Sequence, residues 1–262
     1  QMKREHWMSL NGMWKLDGDE IRVPFPPQSQ LSNYGKKVKD IFTYEKKFVL
    51  SENMKGERIL LHFGAVDQIA EVILNGKSLG THEGGYLEFS FDVTDCIKRV
   101  GENNLQVKVT DTLSLDYPYG KQCKKRGGMW YTPVSGIWKS VWLEAVADKY
   151  IERIKMTPDL TGVNLEVFGD VQAFSACVKL PGGGVLEKAF TGNAGRLEIP
   201  AEEVKLWTPE TPYLYEMTLT AGEDVVESYF ALLTIEIKNM DGINRVCLNG
   251  EPIFLLGVLD QG

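Results

Sequence analysis

The amino-acid sequence predicts an all-β protein. Apolar and polar residues alternate in short runs, as they do in strands with one buried face. No stretch of the chain has a sustained 3.6-residue period, so we expect at most a turn or two of helix, within Thr94–Val100. Turn signals separate the runs, and both residues of an Asn-Gly pair tolerate the positive φ of a tight turn. The pairs are Asn11-Gly12, Asn75-Gly76 and Asn249-Gly250.

The first predicted domain spans residues 1–148. Ala70, Val72 and Leu74 share one face before Asn75-Gly76, and a return strand begins near Lys77, which predicts a hairpin. A polar break at Asp148-Lys149 ends the domain. The other predicted strands are Arg58–Phe63, Tyr86–Asp92, Leu105–Asp111 and Ile137–Ala145.

The predicted strand Ile137–Ala145 is apolar on both faces. Ile137, Val141 and Leu143 point to one side, and Trp138 and Trp142 point to the other. A strand of this kind is expected to be covered on both sides. We therefore predict a sheet with a core beneath it and another domain above it.

The second predicted domain spans residues 149–237. Six or seven short strands in fewer than 90 residues are typical of an immunoglobulin-like sandwich. Cys177 is the only cysteine of this segment, so no disulfide joins the two sheets. The glycines of Pro181–Gly184 precede no helix, and we interpret them as a hairpin turn rather than a phosphate loop. The predicted strands are Tyr150–Met156, Val163–Phe168, Gln172–Leu180, Val185–Phe190, Arg196–Ile199, Tyr213–Thr220 and Val225–Phe230.

The last segment, residues 238–262, differs from the rest of the chain. Ile253–Leu259 is an unbroken apolar run rather than an alternating one. A strand that is buried on both faces, as in a parallel barrel, has this composition. We expect a third domain to begin here.

Composition and charge restrict the class of protein. The chain has 262 residues, which is enough for two domains with cores of ordinary size. No apolar stretch approaches the ~20 residues that cross a bilayer. A net charge of -7 and a pI near 5.2 oppose binding to nucleic acid or to an anionic membrane.

Cysteine and histidine usage predicts neither a metal site nor a cofactor. The four cysteines show no C-x-x-C pair, and the three histidines are too scattered for a zinc motif. Free thiols favour a reducing compartment. No signal peptide is recognisable, and Gln1 at the terminus leaves secretion of the parent open. The expected location is cytoplasmic or periplasmic.

One loop, Gly120–Tyr131, is the candidate binding site. It carries the basic residues Lys121 to Arg126, then a Gly pair and the aromatic residues Trp130 and Tyr131. An aromatic pair on a Gly-rich loop suits a sugar, because a pyranose ring has an apolar face. Buried aromatic side chains more often serve packing, so a plug between domains is the alternative. The basic residues are interpreted as a solvated loop.

The stretch GMWYTPVSGIWKSVWLE resembles the N-terminal sugar-binding domain of family 2 glycoside hydrolases, which include β-galactosidases, β-glucuronidases and β-mannosidases. Further segments match the family's order. The resemblance implies a jelly-roll, galactose-binding-like domain, then an immunoglobulin-like domain, then the start of a TIM barrel. The further segments are LNGMWKL, IFTYEKKF, ILLHFGAVDQIAEVILNGKSLGTHEGGYLEFSFDVTD, GENNLQVKVTD, LWTPETPYLY and LNGEPIFLLGVLDQG.

The resemblance implies a retaining mechanism in which two glutamates flank the scissile bond, about 5–5.5 Å apart. Both come from later barrel strands, which this chain does not contain, so no catalytic residue is assigned and the chain alone is expected to be inactive. Asp260 and Gln261 follow the predicted barrel strand, where barrel sites lie. The accessory substrate-binding residues are predicted to be Trp130, Tyr131, Arg126, Asp260 and Gln261.

The chain departs from the family pattern at three places. Leu259-Asp260-Gln261 stands where many relatives have an Asn-Arg-His type sequence. Gly128 occupies a place at which some β-galactosidases have an acidic residue that reaches the sugar. Leu233 replaces a common arginine. These differences affect the sugar contacts that the resemblance implies.

The favoured function is that of the non-catalytic N-terminal part of a family 2 β-glycosidase, of β-galactosidase type. Its expected partners are a carbohydrate substrate and a C-terminal barrel of the same protein. Apolar surface left by a missing barrel would favour a homo-oligomer. The alternatives are a stand-alone carbohydrate-binding protein and a structural pair of sandwiches.

Overall fold

The computed structural model describes residues 2–125 and 127–259, and it confirms the all-β prediction. Within these residues the helical pieces are two short 3-10 turns, Gln30–Ser32 and Ala201–Glu203. No helix in the described ranges has the length and apolarity that a membrane span requires. The residues form two compact units. The first unit runs from His6 to Val146, and the second contains Ala147–Val258 together with residues 2–5.

The first unit is a jelly-roll sandwich of a four-stranded and a six-stranded sheet. The smaller sheet has the order β1-β12-β5-β9, the larger one has the order β3-β2-β4-β10-β7-β8, and β6 and β11 form a short separate ladder. The strands are β1 Trp7–Ser9, β2 Gly12–Leu16, β3 Asp19–Val23, β4 Ile41–Val49, β5 Arg58–Phe63, β6 Val66–Asp67, β7 Ile69–Leu74, β8 Lys77–Glu83, β9 Phe89–Asp92, β10 Glu102–Thr110, β11 Gly136–Ile137 and β12 Val141–Val146.

The core of the first unit lies between these two sheets, because alternate residues of each strand point inward. On β10, Leu105, Val107 and Val109 are fully buried, while Lys108 between them is exposed. Aromatic rings fill much of the remaining volume: Tyr44 lies edge-on to Trp14 and to Phe42, at ring centroid distances of 6.3 and 5.8 Å. The hydrophobic pattern therefore fixes which face of each strand is inside.

The predicted hairpin at Asn75-Gly76 is confirmed. Both residues have positive φ, 53° and 83°, and β7 pairs with β8 on either side of them. The pair Asn11-Gly12 behaves differently. Only Gly12 has a positive φ, and it connects β1 and β2, which belong to different sheets. An Asn-Gly pair thus marks a turn in both cases, but not always a hairpin.

The predicted strand Ile137–Ala145 is interrupted. β11 ends at Ile137 and pairs with β6, and β12 begins at Val141 and pairs with β5. The chain changes ladders between them, where Ser140 accepts a hydrogen bond from the Gly64 N–H at 2.9 Å. The alternation was nevertheless correct, because Ile137, Val141 and Leu143 are fully buried on the inner side.

The outward tryptophans of this segment are covered by side chains of the same unit. Trp142 stacks on His62 with ring centroids 4.9 Å apart. Trp138 lies edge-on to Tyr86 at 6.3 Å, and the Lys139 ammonium sits 4.7 Å from the Trp138 ring centroid. Partial burial of this kind accounts for an apolar outer face.

The second unit is an immunoglobulin-like sandwich of a three-stranded sheet, β13-β14-β17, and a four-stranded sheet, β16-β15-β18-β19. Its seven strands match the predicted runs closely, and Cys177 is a free thiol. Pro181–Gly184 forms the turn between β15 and β16, closed by the Leu180 N–H on the Gly184 carbonyl at 2.9 Å. The strands are β13 Ile151–Pro158, β14 Gly162–Gly169, β15 Ala173–Lys179, β16 Val185–Thr191, β17 Ala194–Glu198, β18 Tyr215–Ala221 and β19 Asp224–Phe230.

Residues 2–5 pack with the second unit, although the sequence analysis assigned them to the first domain. The Lys3 backbone forms two hydrogen bonds with Glu227, of 2.9 and 2.8 Å. The Arg4 guanidinium reaches Asp224 at 2.8 and 2.9 Å, and both side chains are almost completely buried. Residues 2–5 therefore belong to the second unit, residues 6–146 form the first unit, and the chain then continues as the rest of the second unit.

A three-stranded sheet follows the sandwich, formed by β20 Ile235–Met240, β21 Ile243–Leu248 and β22 Glu251–Pro252. Both of its turns, Asp241-Gly242 and Asn249-Gly250, have positive φ at both residues. The strand predicted over Ile253–Leu259 is absent: these residues lie in no strand, and most of their side chains are exposed. A doubly buried strand needs neighbours on both sides, and the described residues supply none beyond a bond from the Ile253 N–H to Val246.

Candidate functional site

The candidate loop lies in the long connection between β10 and β11 and closes on itself. The Tyr131 N–H donates to the Lys121 carbonyl at 2.9 Å, and the Cys123 N–H donates to the Tyr131 carbonyl at 3.3 Å. Gln122, which is buried, pairs with Tyr131 in a short parallel bridge and accepts a hydrogen bond from the Val134 N–H. These bonds hold the two ends of the loop together, and residues 127–130 of its tip are exposed.

The tip presents aromatic side chains at the surface. Trp130 and Tyr131 are 47% and 45% exposed, and Met129 beside them is more exposed still. Trp130 follows a turn in which its N–H donates to the Gly127 carbonyl at 3.2 Å, and Gly128 has a φ of +60°, which glycine adopts without strain. Each of these two residues is thus about half exposed and accessible to a ligand.

Two contacts anchor the base of the loop to the sandwich. The Gln28 side chain donates to the Ser135 hydroxyl at 2.6 Å and accepts from the Ser135 N–H at 3.3 Å. Lys124 forms an ion pair with Asp40, whose carbonyl also accepts the Asp111 N–H at 2.9 Å. The loop is therefore tied to the segment that precedes β4.

A buried carboxyl group, Asp67, lies close to this region. It is 6% exposed, and the structure shows no hydrogen-bond donor to it among the described residues. Burial, followed by the charge of Asp111, raises the pKa of Asp67 to about 7. Burial also raises the pKa of Asp111, although the Leu113 N–H donates to this carboxylate at 3.1 Å.

The Asp67 carboxyl explains a glycine. A Cβ atom on Gly85 would lie 2.3 Å from Asp67 Oδ1, so no larger residue fits. Gly84 beside it has a φ of +111°. The Gly85 carbonyl accepts a hydrogen bond from Trp138 Nε1 at 2.8 Å. The two glycines of the His82–Tyr86 segment therefore have structural reasons.

Asp67 and Asp111 do not form a glycosidase pair. Both carboxyl groups are at least nine-tenths buried, so a sugar and an attacking water cannot reach them. In the part of the chain that the structure describes, no group of three or more His, Cys, Asp or Glu side chains could hold a metal ion. The loop region therefore offers groups that can bind a ligand, namely aromatic faces and nearby ammonium groups.

The structure brings together two of the five residues that the sequence analysis proposed. Trp130 and Tyr131 are neighbours at the loop tip. Arg126, Asp260 and Gln261 lie outside the described residues. Asp67 was not proposed from the sequence, because a single acidic residue in an alternating run is normally interpreted as a residue on the solvent-exposed face of a strand. Only its position next to Val66, just before the strand that begins at Ile69, indicated burial.

Family comparisons match both units. Residues 24–134 match the model described as glycosyl hydrolase 2 galactose-binding domain-like, and residues 149–232 match that of glycosyl hydrolases family 2. A β-galactosidase of Thermoanaerobacter pseudethanolicus is 26% identical over 95% of this chain and 36% of its own length. A β-glucuronidase of Bacteroides fragilis is 33% identical over 41% of this chain and 17% of its own length.

Solved structures show the same fold. The β-glucuronidase of Lactobacillus rhamnosus superposes with a TM-score of 0.77 at 24% identity, over 97% of this chain and 48% of that one. A β-glucuronidase of Ruminococcus gnavus gives a TM-score of 0.78 at 21% identity, over 97% and 50%. The chain thus spans about a third of the first relative and about half of these solved chains. By the two matched regions and the relatives that share them, the chain belongs to glycosyl hydrolase family 2.

Proposed function

We propose that this chain is the non-catalytic N-terminal part of a retaining β-glycosidase of β-galactosidase type. The observation that carries the proposal is the half-exposed aromatic pair Trp130 and Tyr131, on a loop of the galactose-binding-like unit. An apolar ring face of a sugar can stack on such side chains. We propose domain bounds of 1–148 and 149–237, with residues 238–262 beginning the catalytic barrel.

In this proposal the chain forms one wall of the sugar pocket. Trp130 and Tyr131 contact the sugar, with Arg126 beside them, and Asp260 and Gln261 contribute from the first barrel strand. The two catalytic carboxylates come from later barrel strands and lie about 5–5.5 Å apart, the spacing that gives retention of configuration. The share of the relatives' length that this chain spans supports a further domain.

The preference for a β-galactoside rests on one relative more than on the others. The relative that aligns with 95% of this chain at 26% identity is named a β-galactosidase, and a relative named a β-glucuronidase aligns with 91% of it at 24% identity. The selecting residues of the sugar pocket would lie mostly in the barrel, so the substrate is to be tested directly.

The test uses the chain joined to the residues that its own gene encodes after Gly262. We expect hydrolysis of nitrophenyl β-galactoside, with the β-anomer released first, as NMR of the product would show. Trp130→Ala should raise KM roughly two- to twelvefold, since stacking on an aromatic face contributes about 0.5–1.5 kcal/mol. The matched control is Trp7→Ala, because Trp7 is 45% exposed in the same unit and belongs to β1.

Three results would contradict the proposal. The first is inversion of configuration, and the second is a KM that Trp130→Ala and Trp7→Ala leave equally unchanged. The third is a stop codon directly after Gly262 combined with micromolar sugar binding by the chain itself, which would favour a stand-alone carbohydrate-binding protein. One aromatic wall supplies only part of a pocket's contact, so we expect the chain alone to bind galactose no more tightly than about 1 mM.

A further inference from the structure

Two lysine-rich segments meet beside the aromatic loop. Lys37 and Lys39 precede Asp40, and Lys121 and Lys125 flank Lys124. The segments are joined by the ion pair between Lys124 Nζ and Asp40 Oδ1, at 3.2 Å, and by the hydrogen bond from the Asp111 N–H to the Asp40 carbonyl. The fold thereby joins two segments whose lysines are more than 80 residues apart in the sequence. We call Lys37, Lys39, Lys121, Lys124 and Lys125 the basic surface.

The charge of the basic surface is only partly neutralised. Asp40 pairs with Lys124, and the Asp111 carboxylate lies close enough for the charges of both to affect its pKa. Lys37, Lys39, Lys121 and Lys125 have no ion-pair partner among the described residues. Lys37, Lys39 and Lys125 are exposed, and Lys121 is partly exposed. These lysines form a local group of positive charges on a chain whose net charge is -7.

We propose that the basic surface docks an acidic polysaccharide chain, in which carboxylates of uronate residues meet the lysine ammonium groups while a sugar ring stacks on Trp130 or Tyr131. The inference goes beyond the proposed function, and it rests on that function only in taking the ligand to be a saccharide. A uronate chain combines the two properties that this surface offers, negative charges at intervals and apolar ring faces between them.

Nucleic acid fits the same surface less well. Duplex DNA carries one charge per ~1.7 Å of its axis, and proteins that bind it neutralise many phosphates at once. Here four lysines without an ion-pair partner among the described residues attract an anionic ligand, but the chain as a whole is negatively charged. That net charge repels a densely charged polyanion more strongly than a sparsely charged one. The ammonium groups also offer point charges rather than the paired donors with which arginine grips phosphate.

The expected binding is weak and depends on salt. Ion pairs at an exposed surface contribute little individually and are screened beyond about 10 Å at 0.1 M ionic strength. Several lysines acting together are therefore needed for measurable selectivity. The two pairs of lysines should act additively, because they lie on separate segments of the chain: Lys37 and Lys39 on one, and Lys121 and Lys125 on the other.

The experiment is calorimetric titration of the full 262-residue chain with tetra-galacturonate, and with the neutral galactotetraose as a matched ligand. We expect tetra-galacturonate to bind at least about tenfold more tightly at 50 mM NaCl, and the difference to vanish at 500 mM. The double variants Lys37→Gln/Lys39→Gln and Lys121→Gln/Lys125→Gln should each weaken tetra-galacturonate binding several-fold, and the quadruple variant should abolish the preference.

The control is Lys55→Gln/Lys77→Gln, which removes two exposed lysines elsewhere in the same unit. Lys77 follows the turn next to Leu74, which pairs with Leu105, whereas Asp111 lies past the opposite end of β10. The control should bind as the unmodified chain does. Equal binding of acid and neutral tetramers, an unaffected quadruple variant, or tighter binding of a single-stranded DNA of equal charge would overturn the inference.

These outcomes are separable from failure of the proposed function. Lysine variants that lose the acidic tetramer but keep a Trp130-dependent response to galactose leave the β-galactoside proposal intact and support the basic surface. Loss of the galactose response in Trp130→Ala, with the acid preference unchanged in the lysine variants, contradicts the basic surface alone.

Discussion

Arg4 and Asp224 form a buried ion pair in the second unit. The guanidinium contacts both carboxylate oxygens, at 2.8 and 2.9 Å, and donates a further bond to the Ile151 carbonyl at 2.6 Å. Asp224 in turn accepts the Ile151 N–H at 2.8 Å. The side chains are 5% and 3% exposed, so every charged group is satisfied by the protein rather than by water.

We predict that Arg4→Ala destabilises the second unit by about 3–5 kcal/mol, because Asp224 would be left buried without its counter-charge. Urea denaturation followed by tryptophan fluorescence, to which Trp207 contributes from the second unit, would measure the loss. Lys3→Ala is the control, since the Lys3–Glu227 ion pair is exposed and worth at most about 1 kcal/mol. Equal effects of the two substitutions would show that chain tethering, not the buried charge, holds residues 2–5 in place.

Asp67 should make the stability of the first unit depend on pH. Its pKa is about 7 when folded and near 3.8 when unfolded, so the folded chain retains the proton more strongly. The favourable contribution is complete below about pH 4 and is lost as the pH rises through 7. A difference of three pKa units corresponds to about 4 kcal/mol, an upper bound because Asp111 titrates beside it.

Asp67→Asn should therefore flatten the fall in unfolding free energy between pH 4 and 8 and raise the stability at pH 8. Urea titrations at several pH values would test this, with Asp95→Asn as a control at an exposed carboxyl group. A pH profile that remains as steep in Asp67→Asn as in the unmodified chain would place the responsible group elsewhere.

At the scale of elements, the Asn-Gly turns do more than reverse the chain. The Asn75 side chain donates to the Cys96 carbonyl and to Asn103 Oδ1, both at 2.8 Å, and accepts the Asn104 N–H at 2.9 Å. Asn249 is used in the same way, since it donates to the Trp207 carbonyl and accepts the Thr234 N–H. Each turn thus fastens a neighbouring segment.

We predict that Asn75→Gly destabilises the first unit by about 1–3 kcal/mol, although glycine adopts a φ of 53° more easily than asparagine does. The loss arises because glycine cannot make the three hydrogen bonds of the Asn75 side chain, to the Cys96 carbonyl, to Asn103 Oδ1 and from the Asn104 N–H. Thermal unfolding would measure it. Gly127→Ala is the control, because a Cβ there meets nothing within 4 Å. A neutral or stabilising Asn75→Gly would mean that the backbone conformation alone accounts for the asparagine.

Local pattern predicted most strands because alternation and turn residues are visible in neighbouring positions. β13 to β19 agree with the predicted runs to within about two residues. The failures occur where distant chain segments decide. The break after Ile137 depends on Gly64, and Ile253–Leu259 lacks the neighbours that would make it a strand. The hairpin turn at Asp241-Gly242 had a readable signal, a Gly after Asp, that the sequence analysis did not use.

At the scale of the whole molecule, we predict that the chain alone hydrolyses no glycoside. Retaining hydrolysis needs two accessible carboxyl groups about 5–5.5 Å apart. The described acidic pair that lies deepest, Asp67 and Asp111, is shielded from substrate. Assays with nitrophenyl β-galactoside, β-glucuronide and β-mannoside should match a blank. Turnover that disappears on mutating one of the chain's own glutamates would disprove the assignment.

The candidate site was only partly readable from the sequence. Trp130 and Tyr131 could be proposed because residue type and a Gly-rich neighbourhood indicate a surface loop. The raised pKa of Asp67 depends on burial by Gly85 and on Asp111, which lie 18 and 44 residues away. The pairing of Lys124 with Asp40 likewise joins segments that no local pattern connects.

The position of Arg4 also sets an order of events during protein synthesis. The first unit is complete once Val146 has left the ribosome, whereas Arg4 waits for Asp224, about 80 residues later. At roughly 5–20 residues per second, that delay lasts roughly 4–16 s. During this interval the nascent chain holds a finished sandwich and a segment, residues 2–5, whose partners in the second unit have not yet been made. The second unit can fold completely only when residues 2–5 and its last strands have both been synthesised. Translation therefore begins with residues of the second unit but completes the first unit earlier.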